Sequence, residues 1–121
     1  LAVCTWMIAG AIGNSSADMN DLLTDKAWKF KRVFCQDAST VQYLTPLYSE
    51  TIFHFDKDGT YSGRFFELPV SGTWETLDET IILNKGSRKE EIYTFSLPAQ
   101  DRLVLEVTEK GNKALLEFGK N

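Results

Sequence analysis

TIFHFDKDGTYSGRFFELPVSGTWETLDETIILNKG, residues 51–86, alternates apolar and polar side chains and breaks every few residues at Asp-Gly, Pro, Ser-Gly, Asp-Glu or Lys-Gly. Period-two alternation punctuated by turn residues is the pattern of short antiparallel hairpins, each strand burying one face. In the strand Thr51–Phe55, Phe53 and Phe55 share a face. In its partner Thr60–Phe66, Tyr61, Gly63 and Phe65 do the same, which sends His54 and Arg64 outward. Asp56-Lys57-Asp58-Gly59 joins the two as a type I turn, with Gly59 taking the positive φ of a bulge.

The habit continues on both sides. Downstream, Ser71–Glu75, Thr80–Asn84, Glu90–Leu97, Arg102–Thr108 and Lys113–Gly119 read as strands, the last hairpin turning at Gly111-Asn112. Upstream, Ala27–Val33 places Trp28, Phe30 and Arg32 on one face, taken as the inner one. Before it, Asp18 to Asp25 offers a cap and the packing pair Leu22 and Leu23, the signature of a short helix or helical turn. From Gln36 to Ser49 the pattern fades into a long connection with one helical turn before Pro46, from which Tyr43, Leu47 and Tyr48 could form a lid or simply anchor the loop. The fold class expected is all-β, a single up-and-down antiparallel barrel of about eight strands with a short N-terminal helical turn. Eight strands close a barrel wide enough for side chains or for one small ligand.

With 121 residues the chain has room for one such domain. Fifteen aromatics, eight of them Phe, suit strands. Seventeen acidic and thirteen basic residues leave a charge of −4, and the basic residues form no run beyond Lys29–Arg32. Nucleic acid is therefore an improbable partner, and an anionic membrane surface is disfavoured on the same ground.

Residues 1–17, LAVCTWMIAGAIGNSSA, stand apart from a barrel domain at 18–121. The apolar run from Leu1 to Gly13 is too short to cross a bilayer as a helix and resembles the core of a secretory signal. A leader remnant would make this an exported protein: periplasmic, cell-surface or secreted. The alternative is an N-terminal plug, in which Trp6, Met7, Ile8 and Ile12 pack on the barrel or on a protein partner. Cys4 and Cys35 could pair in an oxidising compartment, or one thiol belongs to the leader while the other is buried in the domain.

Chemical motifs are sparse. No phosphate-binding glycine loop, nucleophile elbow or zinc-type histidine pair is present, so no catalytic residue, metal or cofactor is assigned. The single histidine, His54, reads as a structural strand residue. Asp56 to Glu67 has the length of a calcium loop, but Tyr61 stands where its glycine belongs and the flanks are strands.

Leu22-Leu23-Thr24-Asp25-Lys26-Ala27-Trp28-Lys29, Phe53-His54-Phe55-Asp56-Lys57-Asp58-Gly59-Thr60-Tyr61 and Gly72-Thr73-Trp74-Glu75, followed by the apolar strands at Ile81–Leu83 and Leu103–Leu105, resemble the bacterial lipocalin-like domains of the Bacteroidetes type. The resemblance covers Leu22 to Phe118 and implies that Trp28 packs across the barrel base. Lys26 departs from the Gly-x-Trp form of the true lipocalins. It also implies binding of a small apolar molecule. The expected function is therefore non-catalytic binding of a hydrophobic or amphipathic molecule inside the barrel. Phe53, Phe55, Tyr61, Phe65 and Trp74 would line the site, Arg32 or Tyr93 would orient a polar end, and Tyr43 would lie at the mouth. The alternative is a structural or protein-binding module with a filled core.

Overall fold

Pairing of each strand with the next, and of the last with the first, defines the architecture. In the computed structural model, which describes residues 16–24 and 26–120, eight antiparallel strands close into one barrel. They are β1 (Ala27–Phe34), β2 (Ile52–Phe55), β3 (Thr60–Phe65), β4 (Leu68–Leu77), β5 (Thr80–Leu83), β6 (Glu91–Ala99), β7 (Arg102–Glu109) and β8 (Asn112–Lys120). Helix α1 (Ser16–Thr24) precedes β1, and helix α2 (Ala38–Tyr48) joins β1 to β2. The barrel leaves no open sheet edge, so the backbone groups that an edge strand would offer to another chain are used internally. Residues 1–15, including Cys4 and the apolar run, lie outside the described part.

Alternation places the core where the sequence implies. Phe53, Phe55 and Tyr61 are buried, and the register sets Phe53 opposite Gly63 and Phe55 opposite Tyr61. Their rings form a ladder along the barrel axis. Phe55 lies 5.0 Å from Trp74 and 6.2 Å from Phe53, and Phe53 lies 5.2 Å from Phe118 and 6.1 Å from Phe65. Each fully buried side chain of this size contributes about 1.5–3 kcal/mol relative to exposure, so the ladder is one substantial part of a core that also holds Trp28, Ile81, Leu103 and Leu116.

One end is closed by α1. Leu23 and Trp28 are both fully buried, and the indole Nε1 donates to the Leu23 carbonyl at 2.9 Å. Thr76 donates to Asn20 at 3.0 Å, and Lys57 lies 3.8 Å from Asp21. Trp28 therefore occupies the base of the barrel. Trp74 stands at the same end, buried, with its Nε1 donating to the Asp56 carbonyl at 2.8 Å. Gly59, at φ +91°, completes the Asp56–Gly59 turn beside it, and Asp58 accepts from the backbone amide and hydroxyl of Thr60.

Four features differ from the sequence expectation. The Gln36–Ser49 segment contains an eleven-residue helix, α2, where a connection with one turn was expected. Asp37 caps it, accepting from the Thr40 amide at 2.9 Å and from the hydroxyls of Ser39 and Thr40 at 2.7 and 2.6 Å. Pro46 falls in the last turn of this helix, where its missing amide forgoes a single hydrogen bond.

Arg32 points outward. A bulge shifts the β1–β8 register between Phe30 and Arg32, so Val33 takes the inner face and Arg32 lies outside, 3.9 Å from Glu117. One extra residue reverses the parity of everything after it.

Phe66 and Glu67 form a two-residue turn, both at positive φ (53° and 65°), so β4 begins at Leu68 rather than Ser71. The last hairpin turns at Lys110-Gly111, one residue earlier than expected, because Asn112 pairs with Glu109.

Candidate functional site

The end opposite α1 is covered by α2. Its Thr40 and Leu44 are buried, and Val41, Leu47 and Tyr48 pack against the core. Tyr48, the last residue of the helix, reaches three rings at once: Phe65 at 5.2 Å, Phe66 at 5.6 Å and Phe30 at 6.0 Å between centroids. Phe66 stacks on Phe65 at 4.3 Å, so the strained turn serves to hold a ring at the rim.

Beneath Tyr48 lies a cavity of about 50 Å3. Its wall is Phe53 and Phe55 from β2, Tyr61 and Phe65 from β3, Val70 from β4, Ile81 and Leu83 from β5, Glu91 and Tyr93 from β6, Leu105 from β7, and Leu116 and Phe118 from β8. One water needs roughly 10–15 Å3 measured the same way, so the space accepts a group of a few heavy atoms. Outside it an open groove of about 580 Å3 runs over Pro69, Ser71, Asn84, Arg88, Lys89 and Glu90. Tyr61, Val70 and Glu91 line both, so the groove adjoins the cavity.

Polar groups meet the cavity on one side. Tyr93 donates its hydroxyl to the Glu91 carboxylate at 3.0 Å, and Asn84 donates its amide to the Tyr61 oxygen at 3.2 Å. Burial, and then the neighbouring Glu91 charge, push the Tyr93 phenol well above its ordinary range. Burial also raises Tyr48, with smaller contributions from Glu91 and Glu109. Both phenols remain neutral hydrogen-bonding groups at any physiological pH.

Of the residues assigned from sequence, Phe53, Phe55, Tyr61, Phe65 and Tyr93 stand together on the cavity wall. Trp74 lies deeper, against Phe55 at the base. Tyr43 is exposed on α2 with Lys110 over its ring at 5.9 Å, and Arg32 is outside the barrel. Glu91 was missed, although it shares the alternation parity of Tyr93 and buried Phe95. It stands at the solvent-exposed start of the strand, where alternation alone gives no sign that it borders a cavity. His54 is half exposed, its Nδ1 3.0 Å from Asp56 Oδ1.

No family model matches the chain, and no curated protein sequence does. The fold is similar to the crystal structure of a DUF4847 family protein from Bacteroides vulgatus, with a TM-score of 0.59 and 14% identity over 85% of this chain and 97% of that one. At that identity the likeness concerns the barrel alone. Among the described residues no helix is long and apolar enough to cross a membrane.

Proposed function

We propose that this protein is a non-catalytic binder of a small amphipathic molecule, whose apolar end enters the cavity under Tyr48 and whose polar end rests at the Glu91 side of the rim. The observation that carries this reading is the aromatic-walled cavity that adjoins an open polar groove. Apolar walls with a few placed polar groups are the usual make-up of small-molecule sites. The closed eight-stranded barrel and the tryptophan at its base are in keeping with a lipocalin-like binder. The apolar run at Leu1–Gly13 supports an exported location.

Xenon offers a direct test, because it enters dry apolar cavities without needing a polar partner. Methyl resonances of Ile81, Leu83, Leu105 and Leu116 are expected to shift under xenon pressure, while those of Leu77 and Ile92 on the outer surface stay put. Unshifted wall methyls would remove the reading.

A second reading has its own support. Typical ligand pockets measure about 300–1,000 Å3, and a void of about 50 Å3 is that of a nearly filled barrel. Phe66 and Leu68, 45% and 65% exposed beside the mouth, would then be contact residues of a protein-binding module.

A further inference from the structure

The charge at the cavity limits what its ligand can be. Glu91 is the only carboxylate that lines the cavity among the described residues, and no lysine, arginine or histidine lines it. Its carboxylate is held by the Tyr93 hydroxyl at 3.0 Å. Arg88 and Lys89 border the outer groove but not the cavity wall, and Arg32, the cation expected to orient a polar end, lies outside the barrel beside Glu117. Glu91 and Glu109 both act electrostatically on Tyr48, and Glu91 is itself exposed at the rim.

We propose that Glu91, fixed by Tyr93, selects an amphipathic amine, whose ammonium group pairs with this carboxylate while its short apolar chain occupies the cavity. The inference rests on the ligand-binding reading above and adds the chemical class. An ammonium supplies three donors, which the second oxygen of Glu91 and the phenol oxygen of Tyr93 can accept, while the Tyr61 oxygen already accepts from the Asn84 amide. A carboxylate ligand would meet Glu91 with like charge and find no cation on the wall. Hydrogen bonds with one ionised partner are roughly twice as strong as neutral ones, and with both ionised the pairing adds direct attraction. A cavity for a few heavy atoms sets the apolar part at about four carbons.

The test uses the whole chain at pH 7.5 and three four-carbon probes, butylamine, butanol and butyrate, titrated by amide and methyl NMR. Butylamine is expected to bind about tenfold more tightly than butyrate, in line with a charge-assisted pair at a partly screened site, and to shift Leu83, Tyr93 and Leu116. Because the protein is acidic overall, at −4, two variants separate local from global charge. Glu91→Gln should bring the amine-to-butyrate ratio close to one, whereas Glu75→Gln should leave it unchanged. Glu75 lies on the exposed outer wall, 3.3 Å from Lys85, and its replacement removes the same unit of charge. Butyrate binding as tightly as butylamine, or an unchanged ratio in Glu91→Gln, would overturn the amine assignment while leaving a pocket. Failure of all three probes, butanol included, would overturn the assignment together with the pocket reading.

Discussion

The indole nitrogen of Trp28 and the carbonyl oxygen of Leu23 lie 2.9 Å apart, and neither residue has any exposed surface. This hydrogen bond joins α1 to the base of the barrel and satisfies one of the carbonyls a helix end leaves unpaired. Trp28→Phe should therefore leave a void and an orphaned buried carbonyl. A loss of about 2–4 kcal/mol is expected, read as a lower urea midpoint at unchanged m-value. A variant within about 0.5 kcal/mol of the parent, the range of ordinary surface substitutions, would show that the joint contributes little.

Gly63 sits where β3 comes closest to β2. A Cβ built on it would clash with the Ile52 carbonyl oxygen and lie 2.9 Å from the Phe53 Cα, both backbone atoms that cannot rotate away. Gly63→Ala must open the β2–β3 pairing that holds Phe53 in the ring ladder. About 3 kcal/mol of destabilisation is expected, at the upper end of overpacking costs. Amide exchange of β2 and β3 should accelerate ahead of that of β7 and β8, and uniform exchange across the barrel would argue against a local lesion.

The hairpins were legible because both requirements coincide in them: a half-buried strand needs period-two alternation, and its turn needs Gly or Asp. Phe53, Phe55 and Tyr61 could be placed for that reason. Alternation carries no warning of an inserted residue, so the bulge after Phe30 turned Arg32 the wrong way. Phe66 and Glu67 take left-handed conformations that their side chains disfavour by about 1–2 kcal/mol each, and only the ring contacts with Tyr48 and Phe65 show why. In α2 the spacing of Val41, Leu44, Leu47 and Tyr48 was a helical stripe overshadowed by Pro46. The size of the cavity depends on how all these rings pack, which no local pattern encodes.

Asp37 gives a pH dependence of known sign. Hydrogen bonds from the hydroxyls of Thr40 and Ser39, and then from the Thr40 amide, hold its carboxyl below the usual 3.8. A depressed folded-state pKa means the unfolded chain binds the proton more readily. The cap's contribution is thus fully present above the ordinary value of 3.8 and fades as pH falls through the lower folded value. An Asp37→Ala protein should lose helicity in α2 at neutral pH and show a shallower drop in stability below pH 4 than the parent. If the carboxyl of Asp37 titrates by NMR at or above 3.8, the account of the cap is incorrect.

Tyr48 is the piece of the cavity wall contributed by the helix rather than the barrel, and its ring contacts with Phe30, Phe65 and Phe66 close the mouth. Tyr48→Ala removes a half-buried ring without touching a strand, at a cost of about 2 kcal/mol, below the range for a fully buried aromatic. The space left adjoins the existing cavity and is walled by Phe30, Phe65 and Phe66, so it should accept an aromatic guest. Benzene is expected to bind the alanine variant at least tenfold more tightly than the parent and to raise its melting temperature in a concentration-dependent way. Tyr48→Phe keeps the ring and should behave as the parent does. Equal benzene affinity in the alanine and phenylalanine variants would mean that the helix collapses onto the barrel when Tyr48 is trimmed, and that the filled core, rather than one covering residue, sets the limit on what can enter.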